Sequence, residues 1–164
     1  MNKVVIKKQN LVLGLVVGNG ETLDLETISE FKKPRGRGEV VVKAVVMKEG
    51  NLNLKGIIKI GKKAVLTQSF LRQNILLLGE NARAVAIPEL EIETDDVKAS
   101  HAATVGQIDK EQLFYLTSRG ISRSLATKMI VEAFLDEVLN QLDLSEAKKI
   151  RVKLEKELND GYKK

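Results

Sequence analysis

No cysteine occurs in this chain. Disulfides, zinc–thiolate centres and thiol nucleophiles are therefore excluded, and a cysteine-ligated metal cluster cannot be held by this chain alone. There is a single histidine, His101, which leaves little room for a histidine-based triad, although Ser–Lys arrangements stay formally open. Tryptophan is absent and aromatics make up only 4% of the residues. The core must then be built from Val, Ile, Leu and Ala, and small branched side chains suit closely stacked strands. No GxxxxGK[ST] loop is present, so the chain is not itself a P-loop ATPase, and Gly36 and Gly38 give only GRG, not a dinucleotide fingerprint. No HxxxH pair offers metal-ligand spacing. No apolar run approaches the ~20 residues that span a bilayer. No charged-then-apolar leader marks the N-terminus, so the cytoplasm is the expected compartment. Together these absences argue against an enzyme.

What is present fits one domain, or one domain with a small appendage: 164 residues, 43% of them apolar. Charge is unevenly placed. Residues 1–88 carry 15 Lys/Arg against 7 Asp/Glu, residues 89–108 carry 1 against 5, and residues 109–164 carry 11 against 10. A basic body beside an acidic seam suits a protein interface at least as well as nucleic acid.

Alternation predicts strands at Val4–Ile6, Leu11–Val17, Val40–Met47, Asn53–Ile60, Ala64–Phe70, Ile75–Leu78, Ala82–Ile87 and Leu90–Glu93. In the last of these, Leu90 and Ile92 share one face and Glu91 and Glu93 the other. Asn19–Gly20 marks a tight turn, with a hairpin to Thr22–Leu25 as one outcome. IIKIGKKAV (Ile57–Val65) and ILLLGENARAV (Ile75–Val85) form a faint repeat whose glycines, Gly61 and Gly79, lie 18 residues apart. That spacing admits a parallel β-helix coil, and an antiparallel sandwich with even turns reads the same way. FKKPRGRG (Phe31 to Gly38) reads as an exposed loop. Its cations Lys32, Lys33, Arg35 and Arg37 either meet solvent or, less simply, phosphate.

After Gly106 the pattern turns helical. Asp109 with Gln112 makes a capping box, Gly120 ends a short helix, and Ser122 caps a longer one. Its apolar rows are Leu125, Met129 and Ala133, then Ala126, Ile130, Phe134 and Val138. Ser145 opens a third helix with a stripe at Ala147, Ile150, Leu154 and Leu158, and NDGYKK stops it. A β body with a helical appendage is the expected architecture.

The densest signal is Pro88 to Gly120, PELEIETDDVKASHAATVGQIDKEQLFYLTSRG. Neutral imidazole suits iron or zinc, and Asp95 and Asp96 are near enough in sequence to orient His101 or act as ligands. A lone histidine also serves as an ordinary hydrogen-bonded residue. LEIETDD reads either as a polar edge or as a subunit interface. Phe114, Tyr115 and Phe134 either pack the helices onto the body or dock another protein.

This stretch resembles the C-terminal signature of the SufB/SufD family, subunits of the SUF iron–sulfur cluster assembly machine. The likeness is dense from Asn74 to Leu139 and fainter back to about Val40. It implies a right-handed parallel β-helix followed by a small α-helical domain, divided here as residues 1–106 and 107–164. It implies a dimer interface at Leu90, Glu91, Ile92, Glu93, Asp95, Asp96 and His101, with itself or a SufB-like partner. It implies docking of a SufC-like ABC ATPase through Gln112, Leu113, Phe114, Tyr115, Arg119, Gly120, Met129 and Phe134. His101 matches the histidine of the SufD-type SHGAT motif, a candidate for iron or a nascent cluster shared with a partner, with no cofactor held by the chain alone. Ala102 stands where SufD-like members commonly have Gly, and Ala99 where some have Cys. No counterpart of the SufB sulfur-accepting cysteine exists. The resemblance is thus closer to SufD, in a shortened form. A structural or regulatory binding protein without cluster chemistry is the second reading. A nucleic-acid binder using the Lys32–Arg37 cations is the third, disfavoured because no aromatics interleave with them.

Overall fold

The computed structural model describes residues 3–161, in which eight strands are followed by three helices. The strands are β1 (Lys3–Lys7), β2 (Leu11–Val17), β3 (Thr22–Phe31), β4 (Arg37–Val46), β5 (Asn51–Ile60), β6 (Thr67–Leu77), β7 (Arg83–Ile92) and β8 (Val97–Gln107). Every neighbouring pair is parallel. Odd strands form one sheet, in the order β1-β3-β5-β7, and even strands form the other, β2-β4-β6-β8. The chain crosses from one wall to the facing wall and returns one rung further along. It is a parallel β-helix, and the sandwich is ruled out.

From β2 onward one coil takes about 30 residues, whereas β1 and β3 are 21 apart. Asn53 Nδ2 donates to Asp24 Oδ1 at 2.7 Å on the adjacent rung, 29 residues away, and Asn74 Nδ2 donates to Thr104 Oγ1 at 2.8 Å across 30 residues. The 18-residue spacing of the sequence repeat is therefore not the coil. Its two copies, around Gly61 and Gly79, are the ends of β5 and β6 on opposite walls, so the repeat is half a coil. The Asn19–Gly20 turn forms, with Gly20 at φ 70°, but its flanking strands lie in different sheets and make no hairpin.

Period-two alternation fills the interior. Leu52, Leu54, Ile58 and Ile60 of β5 meet Val40, Val42, Ala44 and Val46 of β4 and Leu71 and Ile75 of β6. Branched aliphatic residues build this cluster as composition required, and Phe31 is its one aromatic. Its ring explains the glycines that follow, since a Cβ at Gly38 would come within 2.6 Å of Phe31 Cζ. FKKPRGRG is thus not one exposed loop. Phe31 closes β3, 1% exposed, and Arg37 opens β4, leaving residues 32–36 as the turn.

The helices are α1 (Lys110–Ser118), α2 (Arg123–Leu139) and α3 (Leu144–Gly161). Asp109 caps α1 through the N–H of Glu111 at 2.8 Å, one residue short of the expected capping box. Gly120, at φ 83°, makes the turn to α2, and Ser122 accepts from the N–H of Leu125 at 3.3 Å. Asp143, not Ser145, caps α3, accepting from the N–H groups of Ser145 and Glu146 at 2.9 Å each. Asn159 and Asp160 remain helical and α3 is described to Gly161, within the expected stop NDGYKK, whose residues 162–164 lie outside the described residues.

α2 and α3 cover the outer face of the even sheet. Val131, Leu135, Leu139, Leu154 and Leu158 pack with Val16, Val45, Met47 and Leu76. The α3 stripe is the one read from sequence. On α2 the buried side is rotated: Ala126 and Val138 are buried, whereas Leu125 is 51% and Met129 41% exposed. Lys43 points outward from β4 into this seam, where its ammonium pairs with Glu137 and lies 4.6 Å from the Phe134 ring centroid. The hydrogen bond from Lys43 holds the Glu137 carboxyl below its ordinary range.

Candidate functional site

Small and polar residues dominate β8 (VKASHAATVGQ), a composition with modest strand preference. It is extended because every residue from Val97 to Gln107 pairs with β6. His101 therefore sits in mid-strand, and the change to helix comes only after Gln107. Its register partner is Leu71, which is buried in the interior. The alternation then assigns Val97, Ala99, His101, Ala103 and Val105 to the inward row of β8. No described strand follows, because β7 and β8 are the terminal strands of their sheets. The row consequently faces out of the end of the solenoid, with His101 exposed and Val105 43% exposed.

β7 completes that end. Ala84, Ala86, Pro88, Leu90 and Ile92 are in register with the inward residues of β5. Leu90 is half-buried and Ile92 is 39% exposed. Glu89 and Glu91 take the outer face, where they pair with Lys55 at 2.9 Å and Lys59 at 2.7 Å on the rung before. The Glu91 hydrogen bond holds the Lys59 ammonium above its ordinary range. Glu93 turns back to accept the N–H of Lys62 at 3.3 Å. Asp95 and Asp96 lie in the corner before β8. An extended strand separates Asp96 from His101 by roughly 16 Å, so neither aspartate orients the imidazole or joins it as a ligand, contrary to the sequence reading. Leu90, Ile92 and His101 share the inward rows of the same open end, where the register sets Pro88, the successor of Gly56, opposite His101, the successor of Leu71, while Glu91, Glu93, Asp95 and Asp96 lie on the flank and corner. Val97 and Val105 belong to the same end and went unnoticed in sequence. The signal was their register with the preceding coil, legible only once the coil length is known.

A second exposed surface lies on α1, none of whose residues is buried. Phe114 is 73% and Tyr115 57% exposed, and the Arg119 guanidinium lies 5.0 Å from the Tyr115 ring centroid. Gln112, Met129 and Phe134 line an apolar groove between α1 and α2, closed at its base by Leu76. Leu113 faces the other way, toward Leu78 and Ile108. Phe134 is only half free, because Lys43 sits against its ring.

Residues 8–134 match the family described as "SUF system FeS cluster assembly, SufBD core domain". The chain belongs to the SufBD family. It is 40% identical over 122 residues to the iron–sulfur cluster assembly protein SufD of Escherichia coli strain K12, covering 74% of this chain and 29% of that protein. It is 37% identical over 136 residues to SufD of Bacillus subtilis strain 168, covering 82% and 31%. A SufBD family protein of Pyrococcus horikoshii is 31% identical over 150 residues, covering 91% and 33%. The chain thus spans about a third of the length of these curated relatives. α3 lies beyond the matched family residues.

Among the described residues no group of three His, Cys, Asp or Glu side chains is placed to hold a metal ion. His101 presents one imidazole at the open end. Iron or a cluster bound there as cargo would take its remaining ligands from elsewhere. Among the described residues no helix is long and apolar enough to cross a membrane.

Proposed function

We propose that this SufBD family member is a non-catalytic subunit of a SUF-type iron–sulfur cluster assembly complex. Residues 1–106 form the pairing unit and residues 107–164 the docking unit. The open end of the β-helix carries this reading. It presents apolar side chains of the inward rows (Leu90, Ile92, Val105) on the same end as His101, with two edges that no described strand covers, a surface that a second β-helix completes. The occupant is a SufB-like subunit or a second copy. The exposed Phe114 and Tyr115, with the adjoining groove, dock a SufC-like ABC ATPase. Nucleotide-driven movement of the ATPase pair then reshapes the interface around His101, where iron or a nascent cluster is handled with ligands shared by the partner.

Co-purification with a SufC-like ATPase and a SufB-like subunit tests both contacts. Phe114→Glu should abolish ATPase retention and leave the β-helix pair intact, and Ile92→Glu should do the reverse. Retention of both partners by both variants overturns the assignment. The absence of cysteine favours a second reading, a structural or regulatory subunit without cluster chemistry. Anaerobic reconstitution with the partner separates the two: a cluster yield unchanged by His101→Ala supports the regulatory role.

A further inference from the structure

The turns that lead from the odd wall to the even wall stack at one corner of the solenoid. They comprise residues 8–10, 32–36, 61–66 and 93–96. Backbone hydrogen bonds tie them together: the Gly61 N–H donates to the Phe31 carbonyl at 3.0 Å, Arg35 N–H to Val65 at 2.8 Å, and Leu66 N–H to Asp96 at 2.6 Å. Stacking converts a basic loop into a basic ridge. Lys8, Lys33, Arg35, Lys62 and Lys63 are all exposed along it. Lys32 is drawn aside by Glu30 at 3.0 Å, while those five form no salt bridge among the described residues. Neighbouring rungs are about 4.8 Å apart, inside the ~10 Å Debye length at 0.1 M salt, so their fields add. The fourth turn reverses the sign with Glu93, Asp95 and Asp96, which gives the ridge a direction.

The same corner holds an apolar residue out in solvent. Leu66 is 46% exposed and sits at φ 61°, a left-handed conformation that a leucine adopts at a cost and a glycine without one. Arg35, stacked one rung before it, has φ 60°, so the left-handed residue is part of the repeated corner turn and the corner itself holds the leucine out in solvent. Phe70, 40% exposed, lies four residues further on, on the outward face of β6.

We propose that this corner binds an acidic segment of a partner protein, whose carboxylates meet the cations of the second and third turns and whose apolar side chain rests on Leu66. A nucleic acid fits less well. Leucine gives bases no stacking face, a single aromatic makes no platform, and the acidic fourth turn repels a phosphate chain running the length of the ridge.

The full chain is titrated with a fluorescent peptide alternating Glu and Leu, an all-Glu peptide of equal length, and an oligothymidylate. The Glu–Leu peptide should bind tightest, and more weakly as salt rises. Combining Arg35→Gln, Lys62→Gln and Lys63→Gln should weaken it at least about tenfold. Leu66→Ser should weaken the Glu–Leu peptide by about fivefold and leave the all-Glu peptide unchanged. No peptide binding, peptide binding indifferent to these substitutions, or tighter binding of oligothymidylate overturns the proposal.

Discussion

β6 and β8 are both 11 residues long and pair along their whole length, yet β6 buries six of its residues and β8 none. The difference lies in what stands on each side. β6 has β4 on one edge and β8 on the other, whereas β8 has a described strand on one edge only. In a solenoid a side chain is sealed by the rungs above and below it, so burial depends on position along the axis as much as on residue type. Composition follows the same division. The inward row of β6 is Thr67, Ser69, Leu71, Gln73 and Ile75, and its counterpart in β8 sets His101, Ala103 and Val105 in place of the three large members.

Truncating one leucine in each coil gives the largest expected contrast. Leu71→Ala in the sealed coil should cost about 3 kcal/mol in urea-induced unfolding, and the half-buried Leu90 about 1 kcal/mol. If a second copy covers the open end, the Leu90→Ala cost becomes larger and depends on protein concentration. Equal costs in dilute solution would break the comparison. Adding a methyl group is the next test. At Gly56 a Cβ would lie 2.6 Å from Gln73 Nε2 and 2.7 Å from Leu71 Cδ2, whereas at Gly106 it would meet nothing within 4 Å. Gly56→Ala should therefore destabilise by about 2 kcal/mol. Gly106→Ala should stay within about 0.5 kcal/mol, both read from thermal melts.

A smaller effect belongs to the seam between sheet and helices. The Lys43 hydrogen bond depresses the Glu137 pKa from its ordinary 4.5. The resulting stabilisation is fully present above 4.5 and is lost as pH falls through the lower folded-state value. The Glu137 side chain is 62% exposed, so solvent screening limits the gain to a few tenths of a kcal/mol. Glu137→Gln should therefore be slightly less stable than wild type at neutral pH, with the gap narrowing in acid, as compared by urea midpoints. The least effect on folding is expected at Phe114, where a change to serine should alter stability by less than about 0.5 kcal/mol.

Much of the β body was legible because its alternation is strong. Leu11–Val17 is read with the bounds that β2 has, and Asn53–Ile60 is β5 short of two residues. β8 was not legible, since Ala, Ser and Gly carry little strand preference and its pairing with β6 overrides them. The far half of β3 was hidden for a related reason. Its inward Thr27 and Ser29 are polar but buried, the Ser29 hydroxyl donating to the Lys8 carbonyl at 2.9 Å. On α2 the buried side runs through Val131, Leu135 and Leu139, which neither apolar row read from the sequence contains, and only the tertiary contact selects it. His101 was visible as a lone residue. That it shares an end with Leu90 and Ile92, while Asp95 and Asp96 stay in the corner, follows from strand register that β8's weak strand composition concealed.

The 30-residue coil also governs which insertions and deletions the chain tolerates. Losing one residue within a strand exchanges inward and outward side chains for the rest of that strand. Losing two keeps the faces but drags the next turn out of its stacked corner. A whole coil, by contrast, can be added or removed with every face and corner kept. The turns are freer than the strands, since those stacked at one corner run from three residues (8–10) to six (61–66) with the walls still in register.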